Sequence, residues 1–267
     1  MLRRRASPRL KGLSLNHLLP NLLTVLALCS GLTAVRFALL EQWQAAVAAI
    51  MVAGVLDGLD GRVARLLGGG SKFGAELDSL ADFLSFGAAP AVVVYIWSSH
   101  DLGGVGWACS LFLAVCAALR LARFNTALED PDKPAFAYNY FVGVPAPAGG
   151  ALALLPMMIT FEWPDGPFRG ALLTSIWMVI VGLLMVSKFP TFSFKKVKIP
   201  HSWVLPTLVG AGLFATALFS APWLTLIALS AVYLGLFPFS YRSFRRLTLE
   251  AQRISGVAPP EGAPPAA

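Results

Sequence analysis

Eight stretches of mostly apolar residues run through this sequence, at roughly 18–38, 43–64, 75–98, 103–123, 142–161, 169–187, 203–220 and 222–240. About twenty such residues cross the hydrocarbon core of a bilayer as one helix. The expected fold class is therefore all-α: a polytopic membrane helical bundle of about eight transmembrane helices. Composition points the same way. Hydrophobic residues make up 57% of the chain and charged residues 13%, where a soluble domain carries about 25% charged. Mean hydropathy is +0.69. The segment from Met1 to Ser14 is basic. The apolar run after it is too long for a cleavable leader and lacks an Ala-x-Ala-like site, so the first stretch is expected to stay as a spanning helix.

Charge sets the orientation. All the lysines and arginines except Arg36 and Arg169 fall on one side of an eight-span arrangement. They cluster around Arg3–Lys11, Arg62–Lys72, Arg120–Lys133, Lys188–Lys198 and Arg242–Arg253. Basic residues concentrate in cytoplasmic loops, so both termini are expected to be cytoplasmic. The net charge of +7 fits that asymmetry and an attraction to anionic lipid; nucleic acid is not an expected partner. Cys29, Cys109 and Cys116 lie within apolar runs without metal-ligand spacing and read as small buried hydrophobes.

Carboxylates inside spans are costly, roughly 3 kcal/mol each on insertion scales, and call for a reason. The second and third stretches hold Asp57-Gly-Leu-Asp60-Gly61-Arg62-Val-Ala64-Arg65 and Gly74-Ala-Glu-Leu-Asp78-Ser-Leu-Ala-Asp82. Asp57 and Asp60 are three apart, and Asp78 and Asp82 four apart, so each pair shares a helix face. The connector from Leu66 to Phe73 lets the two helices lie antiparallel, bringing all four acids into one cytoplasm-facing pocket. Hard divalent cations relieve such crowding. Two of them about 3.5–4 Å apart can clamp a phosphoryl centre. Gly61 and Ala64 leave room for a pyrophosphate near the backbone, and Arg65 can pair with a phosphate oxygen. Either aspartate of the first pair alone also suits a hydrated helix end, but two matched pairs flanked by Gly and Arg do not. Glu76 points off the Asp78/Asp82 face, and Arg62 suits an inside anchor.

The run from Asp57 to Asp82 has the form D-x2-D-G-x2-A-R-x8-G-x3-D-x3-D. It resembles the signature of the CDP-alcohol phosphatidyltransferases at every fixed position. The resemblance implies that Asp57, Asp60, Asp78 and Asp82 hold two divalent cations, Mg2+ or Mn2+, with Asp82 also the general base. It implies that Gly61, Ala64 and Arg65 hold the CDP moiety and that Ser71 lies near the lipid pyrophosphate. Asn21 and Thr24 resemble first-helix residues that approach the cytidine and phosphates. Arg120, Arg123 and Asn125 close the fourth stretch, Gly143, Pro145 and Pro147 open the fifth, and Leu184–Ser187 leads into Phe192–Lys195. Together these look like the membrane-embedded phosphatidylserine synthases.

That likeness implies CDP-diacylglycerol as donor, L-serine as acceptor, membrane lipids as surroundings and the bacterial inner membrane as location. The active site is expected to face the cytoplasm. A homodimer is left open. Arg120 or Arg123 can pair with the serine carboxylate, and Asn125 with its ammonium or a phosphate; both arginines also sit where inside anchoring puts them. Glycerol 3-phosphate, inositol phosphate or choline are alternative acceptors, and a cation- or proton-coupled transporter is an alternative class. Gly143, Pro145 and Pro147 are expected to break or kink the fifth helix. His201 suits the membrane interface. The expected organisation is a basic cytoplasmic segment over 1–17, a transmembrane catalytic domain over 18–240 with its signature at 57–82, and a cytoplasmic tail over 241–267, Pro- and Ala-rich and disordered at its end.

Overall fold

The structure is a computed structural model describing residues 15–68, 71–128, 140–187, 190–192 and 203–237. The basic N-terminal stretch before residue 15, the Lys195–Lys198 cluster, His201 and the tail lie outside the described residues.

Every expected span is met by a helix. α1 covers Leu15–Leu39 and α2 covers Trp43–Leu67. The third span is composite: α3 (Lys72–Asp82), a π-helical segment (Phe83–Ala88) and α4 (Ala89–Trp97). α5 is Gly104–Leu128. α6 (Ala146–Ala153) and α7 (Leu155–Glu162) form a broken fifth span, followed by α8 (Ala171–Val186), α9 (Val204–Ser220) and α10 (Pro222–Gly235). Among the described residues, Leu18–Leu39, Lys72–Trp97 and Gly104–Thr126 are long and apolar enough to cross a membrane; Ala171–Val186, Val204–Ser220 and Pro222–Gly235 are shorter apolar helices. The all-α expectation needs one addition. β1 (Tyr140–Val142) pairs antiparallel with β2 (Pro190–Phe192), in a register that sets Phe141 opposite Thr191.

Small residues let the first helices approach closely. Ala34 and Ala38 of α1 are fully buried against a core that includes Ala46, Val47, Ile50 and Ala53 of α2. Ser30 Oγ donates to the carbonyl of Ala49 at 2.8 Å across that pair. The π segment is buried through Ser85, Phe86 and Gly87. Pro90, four residues after Phe86, lacks the N–H that would close on the Phe86 carbonyl, and its ring crowds that oxygen. A widened turn just before the proline relieves the crowding, and π turns of this kind recur at functional sites.

The fifth span breaks in two places. Gly143 takes φ +80° and Pro145 caps α6, so the Gly143–Pro147 motif starts the helix late, after β1. The second break, at Leu154, follows from Pro156. The carbonyl of Leu152, four residues earlier, loses its usual helical donor. The indole of Trp177 on α8 donates to it at 2.7 Å instead. Buried backbone at membrane depth is tolerated where protein re-satisfies it.

At the end of the bundle that carries Arg169, three hydroxyls tie loops together. Ser98 Oγ donates to the Arg169 carbonyl at 2.7 Å and lies 3.1 Å from Thr174 Oγ1, with Ser99 Oγ at 3.3 Å. α10 turns Trp223, Leu226, Ile227, Tyr233 and Leu234 onto the core, joined by Phe237 just beyond its end, with Trp223 edge-on to Phe161 of α7 at 5.0 Å. α9 is exposed along nearly its whole length, as suits a lipid-facing helix.

Candidate active site

Two helix ends and the short connector between them build the site. α2 stops at Gly68, whose left-handed φ of +60° lets its N–H close on the Ala64 carbonyl, a conformation that favours glycine. Ser71 then caps α3, its Oγ accepting from the Gly74 N–H at 2.9 Å. An N-terminal serine cap followed by free amides makes the start of α3 receptive to anions. Glycine at 74 lets α1 approach: a Cβ there would sit 2.7 Å from Asn21 Oδ1.

The antiparallel turn brings the acids together. Asp57, Asp60 and Asp78 each offer a carboxylate oxygen, all within 4.8 Å of one another. Asp60 is buried, and Thr24 of α1 donates to its Oδ2 at 2.6 Å. Asp82 stands one turn deeper, against Asp57 and within electrostatic range of Asp78. Its Oδ1 is buried and has no hydrogen-bond partner among the described residues. Crowded carboxylates with an orphaned buried oxygen fit a hard divalent cation, which takes oxygen ligands. Glu76 and Arg62 are exposed and stand apart.

A cleft of about 190 Å3 opens beside the acids, lined by Pro20, Asn21, Thr24, Asp60, Gly61, Ala64, Ser71, Gly74, Ala75 and Asp78. Five of the six residues expected to bind the donor thus meet in one place. The space over Gly61 is open, with nothing within 4 Å of a Cβ placed there. Arg65 is the sixth. It is exposed on the same turn of α2, and its Nε donates to the Gly61 carbonyl at 2.9 Å.

The three acceptor candidates on α5 part company. Arg120 is buried at 7% exposure, within electrostatic range of Asp82 and Asp57, and its guanidinium lies 5.7 Å from the Phe124 ring centroid. Arg123 instead donates through Nη1 to the Val186 carbonyl at 2.9 Å and through Nη2 to the Ser187 carbonyl at 3.2 Å. It caps the end of α8. Asn125 donates to Ser79 Oγ at 2.9 Å, tying α5 to α3 beside Asp78. No cysteine or histidine joins the acids among the described residues: Cys116 packs near Gly182, and His100 lies 3.2 Å from Asp101.

Sequence reasoning missed Tyr233 of α10, which lies within electrostatic range of Arg120. A tyrosine in an apolar span reads as packing; only its polar tip hints otherwise.

In a bundle of apolar helices, a carboxylate cluster of this kind beside a phosphate-receptive helix start has the donor set that metal-assisted group transfer requires. Residues 17–181 match the CDP-alcohol phosphatidyltransferase family, and residues 202–238 match a second description, CDP-alcohol phosphatidyltransferase 2. The chain belongs to the CDP-alcohol phosphatidyltransferase family, and it is a membrane protein. It is 40% identical over 237 residues to the CDP-diacylglycerol–serine O-phosphatidyltransferase of Mycobacterium tuberculosis, covering 89% of this chain and 82% of that one. It is 36% identical over 223 residues to the Helicobacter pylori protein of the same name, covering 83% and 88%. The Bacillus subtilis protein of that name is 33% identical over 178 residues, covering 67% and 92%.

Proposed function

We propose that the chain transfers a phosphatidyl group from CDP-diacylglycerol to L-serine, giving phosphatidylserine and CMP. The observation that carries this reading is the meeting of Asp57, Asp60, Asp78 and Asp82 beside the cleft lined by Asn21, Thr24, Gly61, Ala64 and Ser71. The relatives' names supply the acceptor.

In this reading the four aspartates hold two divalent cations, Mg2+ or Mn2+. Bound there, such ions neutralise pyrophosphate charge and favour an in-line displacement. The chain's own residues do the rest. Asn21, Thr24, Gly61, Ala64, Ser71 and the start of α3 seat the CDP group, with Arg65 at the rim. Asp82 takes the proton of the serine hydroxyl, which is too weak an acid to react unaided. The serine oxygen bonds to the β-phosphorus, the bond from that phosphorus to the bridging oxygen breaks, and CMP departs with the electron pair. Direct displacement is preferred because no cysteine or histidine stands beside the acids among the described residues. Arg120 takes the acceptor carboxylate, while Arg123 and Asn125 brace the helices that frame it.

The same reading places eight spans across a bacterial inner membrane, both termini and the site toward the cytoplasm. Residues 18–240 form the catalytic domain, flanked by the 1–17 and 241–267 segments. A homodimer is compatible with it and is not needed for the site. Purified protein should release CMP from CDP-diacylglycerol when offered L-serine, and at least about a hundredfold more slowly with glycerol 3-phosphate, inositol phosphate or choline, since choline leaves the guanidinium unpaired and a phosphate brings more oxygens than the pocket can meet. Release with another acceptor and none with serine would move the acceptor assignment. Cation flux without CMP release would instead favour the transporter class.

A further inference from the structure

The reaction as described so far uses one buried polar group beside the acids, Arg120, and leaves over a second one near it, the hydroxyl of Tyr233. Arg120 is 7% exposed, yet among the described residues it has neither an ion pair nor a hydrogen bond. Its recorded neighbours are the Phe124 ring and, at electrostatic range, Asp82, Asp57 and Tyr233. The hydroxyl of Tyr233 is buried and has no hydrogen-bond partner among the described residues. An unmet buried hydroxyl is destabilising, and phenylalanine would pack equally well without that cost. A buried guanidinium with no hydrogen-bonded partner among the described residues is costlier still.

Tyr233 is held where it is by the packing of α10. Trp223, Leu226 and Ile227 seat the helix on the core, and the Tyr233 ring meets Phe237 edge-on at 5.1 Å. The phenol is thus carried to the Arg120 side of the acids, while the CDP cleft opens along α1 and the start of α3. An acceptor alcohol must enter opposite the leaving group, so this second polar corner lies where an acceptor's non-reacting end would rest.

We propose that Arg120 and Tyr233 together form the acceptor's carboxylate subsite, with the guanidinium fork taking one face of the carboxylate and the Tyr233 hydroxyl donating to one of its oxygens. The C-terminal helix pair thereby contributes a specificity-determining residue to a site otherwise built from α1, α2, α3 and α5. This rests on the serine reading above. A planar carboxylate suits one arginine fork and one phenol, whereas a phosphate's additional oxygens would leave acceptors unmet.

The test uses the full-length protein in detergent with CDP-diacylglycerol, reading CMP release. Tyr233→Phe removes one oxygen and keeps the ring. It should raise the KM for L-serine about tenfold or more, the usual effect of losing a hydrogen bond to a charged group. The KM for CDP-diacylglycerol should stay within about twofold. Wild-type protein should use L-serinamide, whose carboxylate is replaced by a neutral amide, at least about a hundredfold less efficiently than L-serine, and Tyr233→Phe should narrow that gap. An unchanged serine KM in Tyr233→Phe, or equal rises for both substrates, overturns the role of Tyr233. Equal use of serine and serinamide by the wild type overturns carboxylate recognition and needs no variant to fold. Wild-type turnover with glycerol 3-phosphate and none with serine brings down the serine reading itself, a result distinct from the other two.

Discussion

Thr24 shows how much one hydroxyl can matter at this site. Its Oγ1 lies 2.6 Å from Asp60 Oδ2 and 3.1 Å from the Pro20 carbonyl, so the single proton is best used on the carboxylate. The bond fixes one oxygen of a buried acid whose carboxylate clusters with those of Asp57 and Asp78. Thr24→Val keeps the shape and deletes the donor. Hydrogen bonds to charged groups contribute about 1.5–3 kcal/mol, so kcat/KM should fall roughly tenfold to a hundredfold with the fold retained. Circular dichroism and CMP release on one preparation check this; an unchanged kcat/KM would mean that Asp60 needs no help from α1. The aspartates themselves were legible in the sequence because charge inside an apolar span is expensive and their spacing matched two helix faces. Tyr233 was not, because nothing in a local pattern shows which half-buried aromatic lies near a cation on another helix.

Elements explain what spacing could not. The sequence offered Arg120 and Arg123 as equal candidates, three residues apart on α5. Burial and direction separate them: Arg120 lies buried near Asp82, while Arg123 reaches the carbonyls that end α8. Arg123→Ala should therefore act through α8. It removes donors from Val186 and Ser187, lowering the thermal midpoint in detergent by an amount equivalent to about 1–3 kcal/mol. Arg120→Ala should instead raise the KM for serine with a smaller thermal effect. A serine KM that rises more in Arg123→Ala than in Arg120→Ala would reverse the two roles. The helices were legible to within a few residues because long apolar runs mark them. The π turn before Pro90 and the break at Leu154 were not. Each depends on where a carbonyl deprived of its donor finds relief, and that partner, as with Trp177, comes from elsewhere in the chain.

For the whole molecule, the bundle has two unlike ends. One gathers the acids, Arg62, Arg65, Arg120 and Arg123. The other holds Arg36, Arg169 and the Ser98–Ser99–Thr174 hydroxyls. In the proposed topology the positive-inside asymmetry turns the end with the acids toward the cytoplasm. With Cys29, Cys109 and Cys116 replaced, a single cysteine at Gly166 should be labelled by an impermeant reagent from outside intact cells. One at Ser71 should be labelled only after lysis. Labelling of Ser71 from outside would invert the topology and place the site where cytoplasmic serine cannot reach it.

The central claim is that the four aspartates carry out divalent-cation-dependent transfer from CDP-diacylglycerol. CMP release with L-serine by purified wild-type protein, with Mg2+ or Mn2+ and then with excess EDTA, beside Asp57→Asn, Asp60→Asn, Asp78→Asn and Asp82→Asn, tests it most directly. The account predicts that EDTA abolishes release, that added divalent ion restores it, and that each variant folds yet loses at least about a thousandfold in kcat, given the combined loss of charge stabilisation and proton transfer. Substantial CMP release in EDTA, or near-normal turnover by Asp82→Asn, would contradict it.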